Sequence, residues 1–371
     1  MTESMAAATA MTFDIPKKHK ACVYDKPGTI STKVEYLDTP EPGPGEVLIR
    51  LTHSGVCHSD IGIMENSWRG LPYPTQAGQV GGHEGVGIVQ KLGPGAEVGN
   101  IKLGDRVGVK WIAAACGACA ACYEGADGVC FNQKISGYYY PGTFQQYVVG
   151  PANYVTPIPP ALSSADAAPL LCAGVTTYSA LRKSEAKSGQ WVVIVGAGGG
   201  LGHLATQIGS RGMALRIIGI DHGSKEVLVK DCGAESFIDI TKFDDTAIGE
   251  EVKRITGGLG ASAVIVCTSS NKAYGQALGF LRFGGTVVCV GMPEGEMVPI
   301  STAFPALLVS KQTKIVGSLV GNQREAIELL DLASRGIVET QYRSEKMENL
   351  TEVFKEMSEG RIQGRVVLDL Q

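Results

Sequence analysis

The sequence predicts an α/β protein of two domains, one rich in short β-strands and one built on an open, doubly wound parallel sheet. The chain has 371 residues, more than a single hydrophobic core ordinarily serves. In its first half, short apolar or alternating runs are separated by glycine and proline turns, which is typical of a β-rich domain. In its second half, continuous apolar runs alternate with helical patterns, as expected when helices cover both faces of a parallel sheet.

The β-rich half contains five predicted strands joined by turn residues. They are residues 20–24, 33–37, 46–51, 86–92 and 105–109. The connector 38–45 is rich in proline and glycine, which marks it as a turn. Short strands joined in this way favour a sheet that closes partly into a barrel.

Composition and charge narrow the class of protein. Hydrophobic residues make up 44% of the chain and charged residues 19%, as in an ordinary globular protein. The formal net charge of −4 argues against nucleic acid or an anionic membrane as main partner, and no apolar run approaches the roughly 18 residues of a membrane span. Residues 1–11 lack the features of a secretory signal, so we expect a disordered tail and a cytoplasmic protein. Ten cysteines then indicate metal or redox chemistry rather than disulfides.

Three residues carry the ligand types of a catalytic zinc site. Cys57 and Cys172 offer thiolate sulfurs, and His83, in a glycine-rich His-Glu stretch, offers an imidazole nitrogen. Three protein ligands hold a catalytic zinc and leave one position open for water or substrate. Each residue also has an ordinary alternative, since a lone cysteine often packs as a small apolar side chain and a lone histidine as a hydrogen-bonded polar one.

A second set of metal ligands lies in one short loop rich in glycine and alanine. Its members, Cys116, Cys119, Cys122 and Cys130, follow the spacing C-x₂-C-x₂-C-x₇-C. Four thiolates so close in sequence can surround a tetrahedral ion and leave no open position, which predicts a structural zinc. Two disulfides or an iron–sulfur cluster are the alternatives, and the compartment disfavours the disulfides.

A glycine-rich turn in the second half predicts a dinucleotide site. The apolar run 190–195 ends in this turn, a helical pattern follows, and the next strand, 215–220, ends at Asp221. The turn residues are Gly196, Gly198, Gly199, Gly200, Leu201 and Gly202. Glycines admit a pyrophosphate, the start of the helix stabilises its charge, and the carboxylate accepts hydrogen bonds from the adenosine ribose. The spacing G-x-G-x-x-x-G is one residue longer than the usual fingerprint, and a turn that binds nothing is the alternative.

Asp221 also bears on the choice of cofactor. A carboxylate there bonds a free 2′-hydroxyl and repels a 2′-phosphate, which favours NAD over NADP. Lys225 is close enough in sequence to hold the same ribose, although a solvated surface lysine is the alternative. The remaining predicted elements are strands 263–267, 285–290 and 313–317, a helix over 324–335 and a strand over 364–368.

Longer motifs resemble the zinc-dependent medium-chain alcohol dehydrogenases, in particular their yeast and fungal tetrameric type. The matching stretches span nearly the whole chain: GVCHSD (55–60), VGGHEG (80–85), the four-cysteine loop, SGY (136–138), GTFQQY (142–147), LCAG (171–174), VGMP (290–293) and VGSLVGN (316–322). The resemblance implies a GroES-like catalytic domain in two segments, 1–174 and 320–371, and a Rossmann NAD-binding domain, 175–319. It also implies NAD and two Zn²⁺ per chain as cofactors, a small alcohol or aldehyde as substrate, and a homotetramer.

The resemblance further implies roles for single residues. Cys57, His83 and Cys172 would hold the catalytic zinc. Glu84 would coordinate it transiently, and Asp60 would orient His83 by accepting a hydrogen bond.

Other implied roles lie along the cleft between the two domains. Ser59 would take the alcohol proton and pass it to the nicotinamide ribose. His58 and Arg365 would meet the cofactor pyrophosphate, and Val290 and Met292 would lie against the cofactor.

One position departs from the yeast pattern, which has a histidine where this chain has Gly62. In that pattern the histidine completes the proton relay to solvent. Here His58 or water would complete the relay, or proton release would be slower. We therefore expect a histidine introduced at position 62 to raise turnover near neutral pH.

Bulky side chains indicate a narrow substrate pocket. The resemblance places Trp68 and Trp111 along it and Met292 at its inner end, which favours small primary alcohols such as ethanol. Ordinary core packing of both tryptophans is the alternative. Three other functions stay open: a dehydrogenase of larger or secondary-metabolite alcohols, a zinc-free quinone reductase-like relative, and a cofactor-binding protein without activity.

Overall fold

A computed structural model describes residues 12–68, 71–244 and 247–371 of the chain. The segment 1–11, for which we expected disorder, lies outside the described residues. Most of the described strands fall in two large sheets, one of seven strands and one of six. None of the described helices combines the length and apolar character needed to cross a bilayer.

The described strands follow one another along the chain in this order: β1 Lys18–Tyr24, β2 Thr32–Asp38, β3 Glu46–Val56, β4 Gly85–Leu92, β5 Arg106–Val109, β6 Ile112–Ala114, β7 Lys134–Ile135, β8 Tyr147–Pro151, β9 Thr156–Pro157, β10 Trp191–Val195, β11 Arg216–Asp221, β12 Ser236–Asp239, β13 Ala261–Val266, β14 Leu281–Cys289, β15 Lys314–Gly317, β16 Tyr342–Lys346 and β17 Arg365–Asp369. β1 and β2 form a separate two-stranded sheet, as do β6 and β7.

The described α-helices are α1 His58–Met64, α2 Ala120–Tyr123, α3 Ser164–Pro169, α4 Val175–Lys183, α5 Gly202–Gln207, α6 Glu226–Asp231, α7 Ala247–Ile255, α8 Asn271–Ala277, α9 Pro305–Lys311, α10 Gln323–Ser334 and α11 Leu350–Ser358. A π-helical turn, Leu170–Gly174, joins α3 to α4, and a second one, Ile208–Gly212, extends α5.

The long strand β3 organises the seven-stranded sheet. β4 pairs along one of its edges, while β8 and β17 share the other, β8 beside residues 46–50 and β17 beside residues 53–56. The antiparallel pairing of β17 brings residues 366–369 back to the first part of the chain. The domain boundaries stay predictions, and the one expected at residue 174 falls inside a continuous helical stretch, 164–183.

The six-stranded sheet is parallel throughout and confirms the predicted doubly wound architecture. Its order is β12-β11-β10-β13-β14-β15, so the chain steps outward from β10 in one direction and then from β13 in the other. In open α/β sheets, ligands bind in the crevice at the carboxyl ends of the strands where the order reverses. The glycine turn follows β10 and therefore lies at this crevice.

The apolar runs that predicted this sheet are buried because helices cover both of its faces. Residues 192–194 of β10 and 263–266 of β13 have no exposed surface. α10 begins with reciprocal hydrogen bonds, since Asn322 Oδ1 accepts from Glu325 N at 2.8 Å and Glu325 Oε2 accepts from Asn322 N at 3.0 Å. This capping box fixes the start of the helix predicted over 324–335.

Candidate active site

Four potential metal ligands from distant parts of the chain meet at one point. Cys57, His83, Glu84 and Cys172 each offer one ligand atom, and these atoms all lie within 4.8 Å of one another. Cys57 precedes α1, the His-Glu pair precedes β4, and Cys172 lies in the first π-helical turn. The structure thus brings together the three predicted ligands and the carboxylate predicted beside them.

His83 shows that this cluster suits a metal ion. The residue has no exposed surface, and its Nδ1 lies 2.9 Å from Asp60 Oδ1. Among the described residues its Nε2 finds no hydrogen-bond partner. A buried ring nitrogen without a partner is costly, and a metal bond satisfies it. Asp60 also accepts a hydrogen bond from Cys57 N at 3.0 Å, so one carboxylate orients two of the ligands.

The two sulfurs at this point shift each other's pKa in opposite directions. The Cys172 thiol donates toward the Cys57 sulfur, which holds the pKa of Cys57 well below its usual value and raises the pKa of Cys172. A thiolate is the form of cysteine that binds metal. Two sulfurs and an imidazole nitrogen, with a carboxylate oxygen nearby, are a donor set that fits Zn²⁺.

Glu84 is buried and paired with Arg365, whose Nη2 donates to Glu84 Oε1. Burial raises the pKa of Glu84 to about 7, while the arginine charge acts in the opposite direction. The other carboxylate oxygen, Oε2, lacks a partner among the described residues. A Cβ at Gly55 would come within 1.9 Å of Oε2, so glycine is required there to admit the carboxylate.

The resemblance implied that Arg365 contacts the cofactor pyrophosphate, and the structure shows it in contact with Glu84. Its guanidinium is buried against Glu84, and a Cβ built on Gly200 would be 2.9 Å from its Cδ. Arg365 therefore sits between the metal ligands and the glycine turn. A direct contact with a pyrophosphate stays a prediction.

The four-cysteine loop also gathers its sulfurs. The ligand atoms of Cys116, Cys119, Cys122 and Cys130 lie within 4.8 Å of one another. Neighbouring sulfurs are 3.5–3.9 Å apart, far longer than a disulfide bond and suited to four thiolates around one ion.

The glycine turn is built for close backbone approach. A Cβ at Gly202 would be 2.0 Å from Gly196 O, and Gly196 itself has a φ of +81°. Asp221, at the end of β11, accepts a hydrogen bond from Gly198 N at 2.8 Å. Lys225 Nζ lies 3.7 Å from Asp221 Oδ1, so the lysine is paired as well as being near the expected ribose position.

One cavity of about 350 Å³ joins the metal ligands to the glycine turn. Most of the predicted site residues line it: Cys57, His58, Ser59, Trp68, Trp111, Cys172, Gly196, Gly199, Leu201, Asp221, Lys225, Val290 and Met292. Ser59 Oγ lies 3.6 Å from Cys57 Sγ, which places its hydroxyl beside a metal ligand.

The packing around the cavity bears on two expectations. Trp111 packs edge-on against the His83 ring, with centroids 4.8 Å apart, and against Trp68 at 5.5 Å. The indole of Trp68 fills the space beside Gly62, so an added histidine there would collide with it rather than extend a relay. Met292 is 46% exposed, which does not suit the closed inner end where we expected it.

Sequence reasoning gave no role to ten of the lining residues, among them Glu294, Leu319 and Val320. Glu294 lies 3.3 Å from His58 Nε2, and nothing local in the sequence announces a pair so far apart along the chain. Leu319 and Val320 form another part of the wall. They belong to a matching motif, but only contacts in the fold show that they reach the cavity. Val320 has a φ of +38°, a strained value for a β-branched residue.

Comparisons with known proteins agree with this geometry. Two family models match the chain, an alcohol dehydrogenase GroES-like domain over residues 43–160 and a zinc-binding dehydrogenase over residues 200–335. The chain is 66% identical to alcohol dehydrogenase 2 of Emericella nidulans, over 96% of this chain and 99% of that relative. It is 42% identical to an alcohol dehydrogenase of Schizosaccharomyces pombe, over the same two shares.

Solved structures show the same fold. An NAD-dependent alcohol dehydrogenase superposes with a TM-score of 0.84 at 28% identity, covering 95% of this chain and all of that one. Acetophenone reductase from Geotrichum candidum, in complex with NAD, superposes with a TM-score of 0.81 at 26% identity, covering 96% and 98%.

Proposed function

The chain belongs to the zinc-dependent medium-chain alcohol dehydrogenases, and from this premise we propose that it interconverts small primary alcohols and aldehydes with NAD. The alcohol dehydrogenase activity, zinc and NAD follow from the family. One observation carries the proposal for this site: the buried metal ligands and the glycine turn line a single cavity.

The metal ligands are Cys57, His83 and Cys172 in this proposal. Zinc bound there supplies a Lewis acid that lowers the pKa of an alcohol and polarises an aldehyde carbonyl. Asp60 fixes the His83 ring through its bond to Nδ1. Glu84, one of whose carboxylate oxygens has no hydrogen-bond partner in the described parts of the chain, is placed to coordinate when other ligands exchange. The four-cysteine loop holds the second, structural ion.

The NAD site consists of the glycine turn, Asp221 and Lys225, with Val290 and Met292 as further lining residues of the cavity. NAD supplies the hydride acceptor. The Asp221 carboxylate accepts from ribose hydroxyls and would repel a 2′-phosphate, so NAD is preferred over NADP.

Ser59 receives the alcohol proton, since its hydroxyl lies beside the ligand Cys57. His58, the residue before Ser59 and the first of α1, has 48% of its side chain exposed and lines the cavity. It is therefore placed to hand the proton to solvent, the role that Gly62 cannot perform.

Two tryptophans restrict the substrate. Trp68 and Trp111 pack together beside His83 and line the cavity, which leaves little room for a branched or long alcohol near the metal. A dehydrogenase of larger alcohols is the competing function, and a substrate panel separates the two.

The proposal includes two finer points about the protein as a whole. The domains are 1–174 with 320–371, and 175–319. The enzyme is a cytoplasmic homotetramer, a state supported by apolar side chains left exposed around α9 and the edge strand β15, such as Phe304, Leu307 and Val309. Sedimentation equilibrium of the purified protein measures the subunit number.

Metal analysis combined with a substrate panel tests the proposed function. We expect two zinc ions per chain and higher kcat/KM for ethanol and propanol than for longer or secondary alcohols, with NAD preferred over NADP. Cys172→Ser should lose one zinc and the activity, whereas Cys232→Ala, a buried cysteine outside both clusters, should keep both. Full activity without zinc, or a preference for long alcohols, would contradict the proposal.

A further inference from the structure

A close contact between a histidine and a carboxylate lies in the cavity. His58 Nε2, at the start of α1, lies 3.3 Å from Glu294 Oε1, in the loop that follows β14. The side chains are 48% and 32% exposed, and both line the cavity shared by the metal ligands and the glycine turn. A carboxylate thus stands inside the cleft that receives a dinucleotide.

The pair is unusual in where it lies. Arg365, between the metal ligands and the glycine turn, is paired with Glu84 and buried. Lys225 is paired with Asp221, the carboxylate assigned to the ribose. Glu84 is assigned to the zinc site and Asp221 to the ribose, whereas Glu294 has no assigned role in either zinc or ribose binding. Glu294 nevertheless lies against His58, the most exposed of the three basic side chains.

We propose that Glu294 weakens the binding of NAD and NADH and so hastens cofactor release. The inference rests on the proposed function, which places the cofactor pyrophosphate between His58 and the glycine turn. Glu294 acts there in two ways, and both weaken the binding of the cofactor. It offers His58 a partner that must be given up before the imidazole reaches a phosphate, and its own charge repels the phosphates.

The size of the effect follows from the exposure of the pair. Partly exposed charges a few ångströms apart interact through an effective dielectric between those of protein and water, so one carboxylate changes affinity by about three- to tenfold. In many enzymes the release of product, and not the chemical step, limits turnover. Here the reduced cofactor is one of the products. Slower release would then lower kcat by a similar factor.

Glu294→Gln in the full-length zinc enzyme tests the proposal, because the amide keeps the shape and removes the charge. The matched control is Glu296→Gln, since Glu296 is exposed on the same loop and does not line the cavity. NADH dissociation constants come from the fluorescence of the bound cofactor, and dissociation rates from stopped-flow displacement. We expect Glu294→Gln to bind NADH about three- to tenfold tighter and to release it correspondingly more slowly, with Glu296→Gln unchanged.

Two further measurements locate the effect. ADP-ribose, which carries the pyrophosphate, should gain affinity in Glu294→Gln, whereas adenosine should not. In a His58→Ala background the gain should shrink, because competition for the imidazole is gone. Equal or weaker NADH binding in Glu294→Gln would overturn the inference and make Glu294 a residue that orients His58. Failure of the unaltered enzyme to bind NADH at all would instead overturn the proposed function.

Discussion

The indole of Trp68 stands where a side chain at position 62 would begin: a Cβ built on Gly62 would be 2.5 Å from Trp68 Nε1. Trp68, beyond the end of α1, belongs to the wall of the cavity, and Gly62 lies on the buried face of α1. Glycine at this position therefore makes room for the tryptophan. Position 62 therefore lacks a histidine because the Trp68 indole, a bulky side chain of the pocket, fills the space that the histidine would need.

A large side chain at position 62 is expected to damage the pocket, and Gly62→His is the substitution that tests this. Its ring must displace Trp68, at a cost of about 1–3 kcal/mol of unfolding free energy. We expect lower kcat/KM for ethanol at neutral pH and a lower denaturation midpoint. The double variant Gly62→His/Trp68→Ala should recover stability because the space is cleared. Higher turnover in the single variant, at unchanged stability, would restore the relay hypothesis.

Trp68→Ala should shift the enzyme toward longer alcohols. Removing the indole enlarges the cavity by about the volume of several methylene groups, each worth roughly 1 kcal/mol of discrimination when it is filled. We expect the ratio of kcat/KM for hexanol to that for ethanol to rise about tenfold or more. Trp191→Phe is the control, because the ring of Trp191 stacks on Arg216 and does not line the cavity. Trp111 is a poorer target because its ring packs against His83.

An unchanged chain-length profile in Trp68→Ala would show that the tryptophan is ordinary core. The steady-state comparison is meaningful only at equal zinc content, so metal analysis of each variant accompanies it.

His203 should make stability depend on pH below neutrality. Its Nδ1 donates to Gly199 O at 3.0 Å, and its Nε2 accepts from Gln341 N at 3.3 Å, so one neutral tautomer satisfies both bonds. Burial lowers the pKa of His203 to about 4. The unfolded chain binds the proton near the ordinary pKa of 6.5, so stability is complete above that value and falls as pH drops from 6.5 toward 4. The loss reaches about 3 kcal/mol at most.

Urea unfolding at one protein concentration, at pH 7 and pH 5, measures this dependence. His203→Gln keeps a donor and an acceptor but cannot titrate, and we expect it to flatten the difference between the two pH values. His222→Gln, at an exposed histidine, is the control and should leave the difference as it is. An identical pH dependence in His203→Gln would show that other groups dominate.

Asp127 should tie the four-cysteine loop to the cavity wall. It accepts hydrogen bonds from Gln323 N, at 3.0 Å, and from the Tyr154 hydroxyl, and Asn322 Nδ2 donates to the loop at Gly125 O. These bonds hold the start of α10, directly after the strained Val320. Asp127→Ala leaves two donors without an acceptor, which we expect to cost about 1–3 kcal/mol of unfolding free energy.

The same variant should also alter KM for alcohols more than kcat, because the wall at Leu319 and Val320 loses its support. Glu124→Ala, an exposed carboxylate of the same loop, serves as the control. Unchanged stability and KM in Asp127→Ala would separate the loop from the cavity.

Local sequence patterns predicted the buried strands of the parallel sheet and the glycine turn. β10 and β11 are continuous apolar runs because both faces of the parallel sheet are covered, and the glycine turn between them needs residues that tolerate close approach. The edge strand β16 was missed, since its residues are mostly exposed and polar and it forms only by pairing with β17. Helix α1 was missed because it has seven residues, too few for a clear period.

The same distinction holds for the site. The metal ligands and glycines carry residue types that chemistry requires, and they were identified from the sequence. The Glu84–Arg365 pair and the His58–Glu294 pair join residues more than two hundred positions apart, and ordinary charged residues carry no sign of such partners. The crowding of Trp68 against Gly62 is likewise a property of packing that only coordinates reveal.

The pairing of β17 with β3 has a consequence for biosynthesis. Glu84 emerges from the ribosome long before Arg365, its buried counter-ion, and β3 waits equally long for the strand that covers half of one edge. During that interval the nascent metal pocket carries an uncompensated acid beside an open sheet edge. The catalytic centre is therefore complete only once residue 365 has been synthesised, and nascent chains stalled before it should bind zinc more weakly than the full chain.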